Sequence, residues 1–316
     1  MNREFDLVTG GAGFIGSHLV RGLLEAGRKV VVLDNFSSGK VENLQGLAER
    51  KDDEFRLVDG DIRDEQLCYE LAEACESIYH LAAIPSVQYS VDYPLEVNSV
   101  NVEGTLSVFQ AARRAAADTV VFASSCAVYG DSENLPLPEA EPPRPMSTYA
   151  VSKLADEMYS DVFSKVYNFS STGLRFFNVF GPRQDPASDY AAVIPRFVTR
   201  MLDGKPPIIY GDGEQSRDFI YVQNIVEACM AAARSSGRGI FVNIGTGESR
   251  TLNQIVEVLN GILGTDYQPV YEEARPGDIR DSRASVAAAR DLIGFTPSVD
   301  FEEGLQRTVD AFRRGR

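Results

Sequence analysis

The sequence predicts an α/β protein: a doubly wound parallel sheet followed by a smaller, mixed α/β domain. Three observations predict it. The apolar runs of the first half, such as K-V-V-V-L-D and T-V-V-F-A, are continuous rather than alternating. Strands covered on both faces look like that. Helical patterns separate these runs, in the order that builds a parallel sheet. A glycine-rich turn joins the first run to the first helical pattern.

The elements follow in order. F-D-L-V-T reads as a first strand, and F-I-G-S-H-L-V-R-G-L-L-E-A-G as a helix stopped at Gly27. K-V-V-V-L-D and F-R-L-V-D are the next strands, with a helix near E-Q-L-C-Y-E-L-A-E-A. S-I-Y-H-L-A-A is a fourth strand, Val97 to Ala117 a long helix, and T-V-V-F-A-S-S a fifth strand. Beyond these, S-T-G-L-R-F-F-N-V-F reads as one strand and G-P-R-Q-D-P-A-S-D-Y as a loop. Val222 to Ala233 is a helix and G-I-F-V-N-I-G a strand. The spacing divides the chain into 1–176 and 177–316, with a return to the first unit near 206–240 and a cleft between the two.

Composition narrows the function. The chain has 316 residues and 44% hydrophobic residues, enough for a real core. Its net charge of −15 disfavours nucleic acid and anionic lipid as partners. Abundant acid beside scarce lysine fits a salt-adapted source. There is no apolar run of membrane-spanning length, and the N-terminus reads as a strand rather than a signal peptide. Four scattered cysteines, Cys68, Cys75, Cys126 and Cys229, and two histidines, His18 and His80, lead us to expect reduced thiols, no metal site and a cytoplasmic location.

In V-T-G-G-A-G-F-I-G-S-H-L, Gly11, Gly13 and Gly16 satisfy G-x-G-x-x-G, and Gly10, Gly13 and Gly16 are three apart. Glycines permit the tight turn and let backbone approach a pyrophosphate at a helix N-terminus. Asp34 ends the second strand, 18 residues after Gly16. An acid there can bind both hydroxyls of an adenosine ribose and would repel a 2′-phosphate, which favours NAD over NADP. Asp61 and Ile62 in V-D-G-D-I-R are placed to border the adenine. The sheet is therefore expected to be of the Rossmann type.

Y-A-V-S-K puts Tyr149 and Lys153 at i and i+4, on one face of a helix. A lysine ammonium beside a phenol stabilises the phenolate and makes tyrosine a usable base. Upstream, S-S-C-A-V-Y-G clusters hydroxyls at a strand end with no carboxylate among them.

These motifs, with H-L-A-A at 80–83 and N-V-E-G-T at 101–105, resemble an extended short-chain dehydrogenase/reductase over nearly the whole chain. The segments R-F-F-N-V-F-G-P-R-Q-D-P, Y-A-A-V-I-P-R-F and G-D-G-E-Q-S-R-D-F-I-Y-V are similar to the nucleotide-sugar 4-epimerases. Within these the chain most resembles the UDP-N-acetylglucosamine and UDP-glucose 4-epimerases. The resemblance implies an NAD-dependent swap at C4 of a UDP-hexose through a 4-keto sugar. Residues 1–176 would bind NAD and 177–316 the UDP-sugar.

The resemblance also implies roles. Tyr149 is the base, Lys153 holds the nicotinamide ribose, and Ser125 hydrogen-bonds O4 and relays its proton. The dinucleotide site would include Gly10, Gly13, Phe14, Ile15 and Gly16, then Asp34, Asn35, Ser38 and Gly39. Asp61, Ile62, Leu81, Ala82, Ala83, Asn101 and Ser124 would join them. On the substrate side, Asn178 would touch the diphosphate, Arg217 and Arg275 would clamp it, and Asp278 would lie near the nucleotide ribose. Val193, Pro195 and Phe197 would line the uracil pocket, and Ser86 would face the sugar. Cys126 stands where serine is frequent, and as a weak donor it reads first as a small filler. Ser282 stands where epimerases limited to unacetylated sugars carry tyrosine, so it would leave room for a 2-acetamido group.

Dehydratases and decarboxylases of this superfamily carry an acid at the S-S-C position, and this chain has none. UDP-glucuronate 4-epimerase stays open, although no extra cation for a 5-carboxylate stands out. A non-catalytic NAD-binding sensor would be expected to lose the Tyr or the Lys, and both are present. The helices Val97–Ala117 and Ser152–Val166 match a pair that forms a dimer interface in the superfamily, so a homodimer is expected.

Overall fold

The computed structural model describes residues 3–47, 50–186, 192–235, 237–274 and 279–315. The first lobe is built on a seven-stranded sheet in which every pairing is parallel. Its strands are β1 (Phe5–Thr9), β2 (Lys29–Asp34), β3 (Phe55–Asp59), β4 (Cys75–His80), β5 (Thr119–Ser125), β6 (Ser171–Phe176) and β11 (Ile240–Ile244). The order β11-β6-β5-β4-β1-β2-β3 reverses between β1 and β4, and a crevice opens there at the carboxyl ends of the strands.

The helices cover both faces, as the continuous apolar runs require. They are α1 (Phe14–Glu25), α2 (Glu65–Ala72), α3 (Val87–Asp92), α4 (Pro94–Asn98), α5 (Gly104–Ala115) and α6 (Thr148–Tyr167), and later α8 (Val222–Arg234). One core cluster gathers Leu19, Val20, Val32, Val121 and Leu174 with Ile225 and Val226 of α8. The other gathers Leu7, Ile78, Val108, Phe109 and Phe122 with Phe163 of α6.

The second lobe holds the short strands β7 (Asn178–Phe180), β8 (Ile208–Tyr210), β9 (Ser216–Arg217), β10 (Phe219–Tyr221), β12 (Arg250–Thr251) and β13 (Val270–Glu272). Its helices are α7 (Val193–Leu202), α9 (Leu252–Leu263), α10 (Ala287–Ile293) and α11 (Phe301–Arg314). Phe180, Phe197, Ile209, Phe219 and Phe301 form its centre. The strand pairs β10–β7, β12–β9 and β13–β8 are two-stranded ribbons. The return to the large sheet is made by α8 and β11, whereas β8 pairs within the second lobe.

Two segments depart from the sequence reading. The expected single helix from Val97 to Ala117 is α4 and α5 joined by a π turn over Ser99–Glu103. The π turn places Asn101 inward and fully buried. The expected single strand after Ser171 is two, β6 and β7, separated at Phe177. Phe177 donates its N–H to Ile244, and the chain then leaves the large sheet to pair β7 with β10. Among the described residues no helix is long and apolar enough to cross a membrane.

Candidate active site

Three glycines bring four segments into contact at the start of α1. Gly10 has φ +69°, and a Cβ there would lie 2.7 Å from the Ala82 nitrogen. A Cβ on Gly16 would lie 2.1 Å from the Gly10 carbonyl oxygen, and one on Gly11 2.7 Å from Val32. Side chains at these places would push α1, β2 and the Leu81–Ala83 segment apart. Gly13 is the N-cap of α1 and offers no side chain to the helix end. The first-turn N–H groups of Phe14, Ile15 and Gly16 have no intrahelical acceptor. Their exposed dipole end is a cradle for a pyrophosphate. The Phe14 and Ile15 side chains pack into the core clusters, so these two residues face the cradle through backbone.

Asp34 stands beside the cradle at the end of β2, only 7% exposed. Its carboxylate accepts the N–H of Ala12 at 2.8 Å and of Phe36 at 2.9 Å. Gly39 comes so close that a Cβ would sit 2.7 Å from Asp34 Oδ1. Ser38 is exposed in the same loop. Asn35 donates to Asp61 at 3.1 Å, tying the ends of β2 and β3 together. Hydrogen bonds from Arg63 hold the Asp61 carboxyl low, at about 2. The Ile62 side chain turns into the core against Gly104. Asn101 accepts from the Ile84 N–H at 2.8 Å and donates to the Ile84 carbonyl and to Ser152. These residues fit a dinucleotide: backbone donors for its phosphates and a fixed carboxylate for a ribose.

Tyr149 and Lys153 lie one turn apart on α6, whose N-cap Ser147 accepts the Ala150 N–H at 3.1 Å. The Tyr149 N–H is held by Ser90 of α3 at 2.9 Å. Ser125 ends β5 and accepts the N–H of Ala127 at 3.1 Å. Its own proton is then free to serve the Tyr149 phenol, whose acidity its hydroxyl favours. Burial raises the phenol above its ordinary value, and Lys153 and Ser125 pull in the other direction. Lys153 is buried, with Nζ 3.1 Å from Asp156 Oδ2.

A second set of bonds supports this floor. Arg175 of β6 meets Glu157 of α6 in a two-pronged pair, Nε–Oε1 2.8 Å and Nη2–Oε2 2.7 Å. The Ser124 hydroxyl donates to Glu157 at 2.6 Å, so this predicted cofactor residue directs its side chain to the helix behind it. Tyr129 is fully buried, donates to Asn243 at 2.6 Å and accepts from Arg175 at 2.8 Å.

The second lobe brings its residues up to the same strand end. Burial pushes the Cys126 thiol up to about 12, opposed by Arg217 and by a hydrogen bond with Ser282. Three predicted substrate residues are therefore neighbours. Arg217 donates to the carbonyls of Ser216 and Arg280. Asn178 sits on β7 and donates its N–H to the Asp218 carbonyl at 3.0 Å. Ser86 caps α3, accepting the Tyr89 N–H at 3.0 Å. Val193 and Pro195 are in the first turn of α7, but Phe197 is buried in the second-lobe core. Arg275 and Asp278 lie outside the described residues.

Sequence reasoning passed over Asp156, Glu157, Arg175 and Asp218. Asp218 is fully buried and accepts from the N–H groups of Thr246, Gly247 and Ala284. A signal existed for two of them. Arg175 interrupts an apolar strand and Glu157 lies four residues beyond Lys153, and a buried charge needs a partner.

The model of the NAD dependent epimerase/dehydratase family matches residues 7–245. A UDP-glucose 4-epimerase of Mycolicibacterium smegmatis is 40% identical over 309 residues, 97% of this chain and 98% of that protein. The UDP-N-acetylglucosamine 4-epimerase of Methanobrevibacter ruminantium M1, solved with UDP-N-acetylmuramic acid, superposes with a TM-score of 0.94 at 41% identity, covering 100% of both chains. The UDP-glucuronic acid 4-epimerase of Bacillus cereus, solved with UDP-glucuronic acid and NAD, gives a TM-score of 0.91 at 30% identity, covering 99% of this chain and 100% of that one. With the glycine cradle, the Asp34 carboxylate and the Tyr149–Ser125–Lys153 arrangement in place, the chain belongs to the NAD-dependent epimerase/dehydratase family, as an extended short-chain dehydrogenase/reductase of the nucleotide-sugar epimerase type.

Proposed function

We propose that the protein interconverts the C4 epimers of a UDP-hexose, with UDP-N-acetylglucosamine and UDP-N-acetylgalactosamine as its best pair. The observation that carries this reading is the Ser125 hydroxyl set beside the Tyr149 phenol at a strand end without a carboxylate. That set moves one proton and nothing more. Tyr149 Oη takes the proton of the sugar 4-hydroxyl, directly or through Ser125, whose oxygen is fixed by the Ala127 N–H. NAD in the cradle supplies the acceptor and donor for the C4 hydride. The 4-keto sugar turns over in the cleft and takes the hydride on its other face, with the proton returned from Tyr149. Elimination or decarboxylation asks for a further acid–base group that the Ser124–Cys126 stretch lacks.

The choice of sugar rests on Ser282 and Cys126. Both are small, and they are neighbours. Together they leave space for a 2-acetamido group during turnover. Arg217, with Arg275, is proposed to bind the diphosphate, because a planar fork matches phosphate oxygens. Incubation of the purified protein with UDP-glucose, UDP-N-acetylglucosamine, UDP-galactose and UDP-glucuronate, without added NAD, tests the reading by NMR. The C4 epimer of UDP-N-acetylglucosamine should accumulate fastest. Turnover of UDP-glucuronate alone would transfer the assignment to the uronate. Ser282→Tyr should reduce activity on the N-acetylated sugar at least about tenfold more than on UDP-glucose, since a misfit of even one methylene is worth about 1–3 kcal/mol.

We also propose a homodimer through α6. Val151, Met158, Val162 and Val166 share one face and are each at least 50% exposed, and Leu95 of α4 is 86% exposed. A contiguous apolar face of this kind suits a partner helix pair.

A further inference from the structure

Asp156 has no part in the reaction described above, yet it is the nearest charge to Lys153 Nζ. The two side chains are 3% and 1% exposed and 3.1 Å apart. Asp156 Oδ1 has no hydrogen-bond partner among the described residues. A buried carboxylate with one oxygen unpaired is costly, and its attraction to a lysine offsets that cost only in part. We propose that Asp156 is a positioning residue: it holds Lys153 Nζ in place and, by its charge, sets the pH at which Tyr149 can accept a proton. This rests on the reading of Tyr149 as the base.

The groups around Asp156 leave Lys153 as its counter-charge. On its own helix, Glu157 is matched by Arg175 of β6. On α5, Thr105 adjoins the carboxylate and donates its proton to the Asn101 carbonyl. On β4, His80 faces Thr105 through Nε2 at 2.9 Å and Thr9 through Nδ1 at 2.7 Å. Burial holds His80 down to about 3, so it is neutral. With Thr105 already donating, the His80 proton sits on Nε2. A chain of contacts thus runs from the end of β1 through His80 and Thr105 to Asp156 and Lys153.

The consequence for Tyr149 is electrostatic. Lys153 favours the phenolate, and the Asp156 charge opposes it. Burial lifts the Asp156 carboxyl to about 6, so it is charged through the range in which a tyrosine base operates. Removing that charge should make Tyr149 more acidic.

The test follows the Tyr149 phenol itself. The NAD-loaded enzyme is labelled with 13Cζ-tyrosine, and the Tyr149 resonance is assigned by its loss in Tyr149→Phe. Its midpoint is followed against pH in the parent, Asp156→Asn and Asp156→Glu. Asp156→Asn should lower the midpoint by about one unit, as expected for loss of one nearby charge. Asp156→Glu should keep the parent value. Coincident midpoints in the parent and Asp156→Asn would overturn the proposal. If Asp156→Asn does not fold, Asp156→Gln, which also offers Lys153 an amide oxygen without the charge, replaces it with the same two outcomes. The resonance requires no turnover, so a parent enzyme inactive on UDP-sugars would refute the epimerase reading and leave this result readable.

Discussion

Tyr149 is under opposed influences at the scale of single residues. Burial raises its phenol, and Lys153 and the Ser125 hydroxyl lower it. Tyr149→Phe should therefore reduce turnover by about 10²–10⁴-fold while the protein keeps its NAD, read from the absorbance of the cofactor released on denaturation. Asp156 adds a stability signature. Its folded value, about 6, is raised above the ordinary 3.8. A raised acid contributes stability that is full below 3.8 and is lost as pH rises through 6. Relative to the parent, Asp156→Asn should thus gain in Tm on going from pH 4 to pH 7. A constant offset between the two melting curves would contradict the raised value.

At the scale of elements, the turn between β1 and α1 is fixed by contacts rather than by flexibility. A Cβ on Gly16 would collide with the Gly10 carbonyl, which is backbone and cannot yield. Gly16→Ala should therefore displace the first turn of α1 and abolish NAD retention after gel filtration, with the sheet intact by circular dichroism. The turn, the strands and the placing of Tyr149 and Lys153 on one helix face were legible in the sequence because each is local: glycine spacing, an apolar run, a four-residue spacing. The break at Phe177 and the π turn at Ser99–Glu103 were not. Both are imposed by partners distant in sequence, Ile244 and Asp218 in one case, Ile84 and Ser152 in the other. The same reason hides Asp156, which looks like one more helix charge until α5 and β4 close over it.

At the scale of the whole molecule, two lobes meet over one strand end. The first carries the cradle, Asp34 and Tyr149, and the second brings Ser282 and Arg217 to Cys126. The proposed dimer lies on α6, whose other side carries Lys153, so assembly and site share one helix. Val162→Asp combined with Val166→Asp should give a monomer by sedimentation, while single surface changes on α9 should not. The central claim, that hydride leaves C4 and comes back to it, is tested most directly with UDP-N-acetylglucosamine deuterated at C4, incubated in ordinary water without added NAD. The epimer formed should keep its deuterium at C4. An epimer carrying hydrogen from water at C4 would contradict that claim.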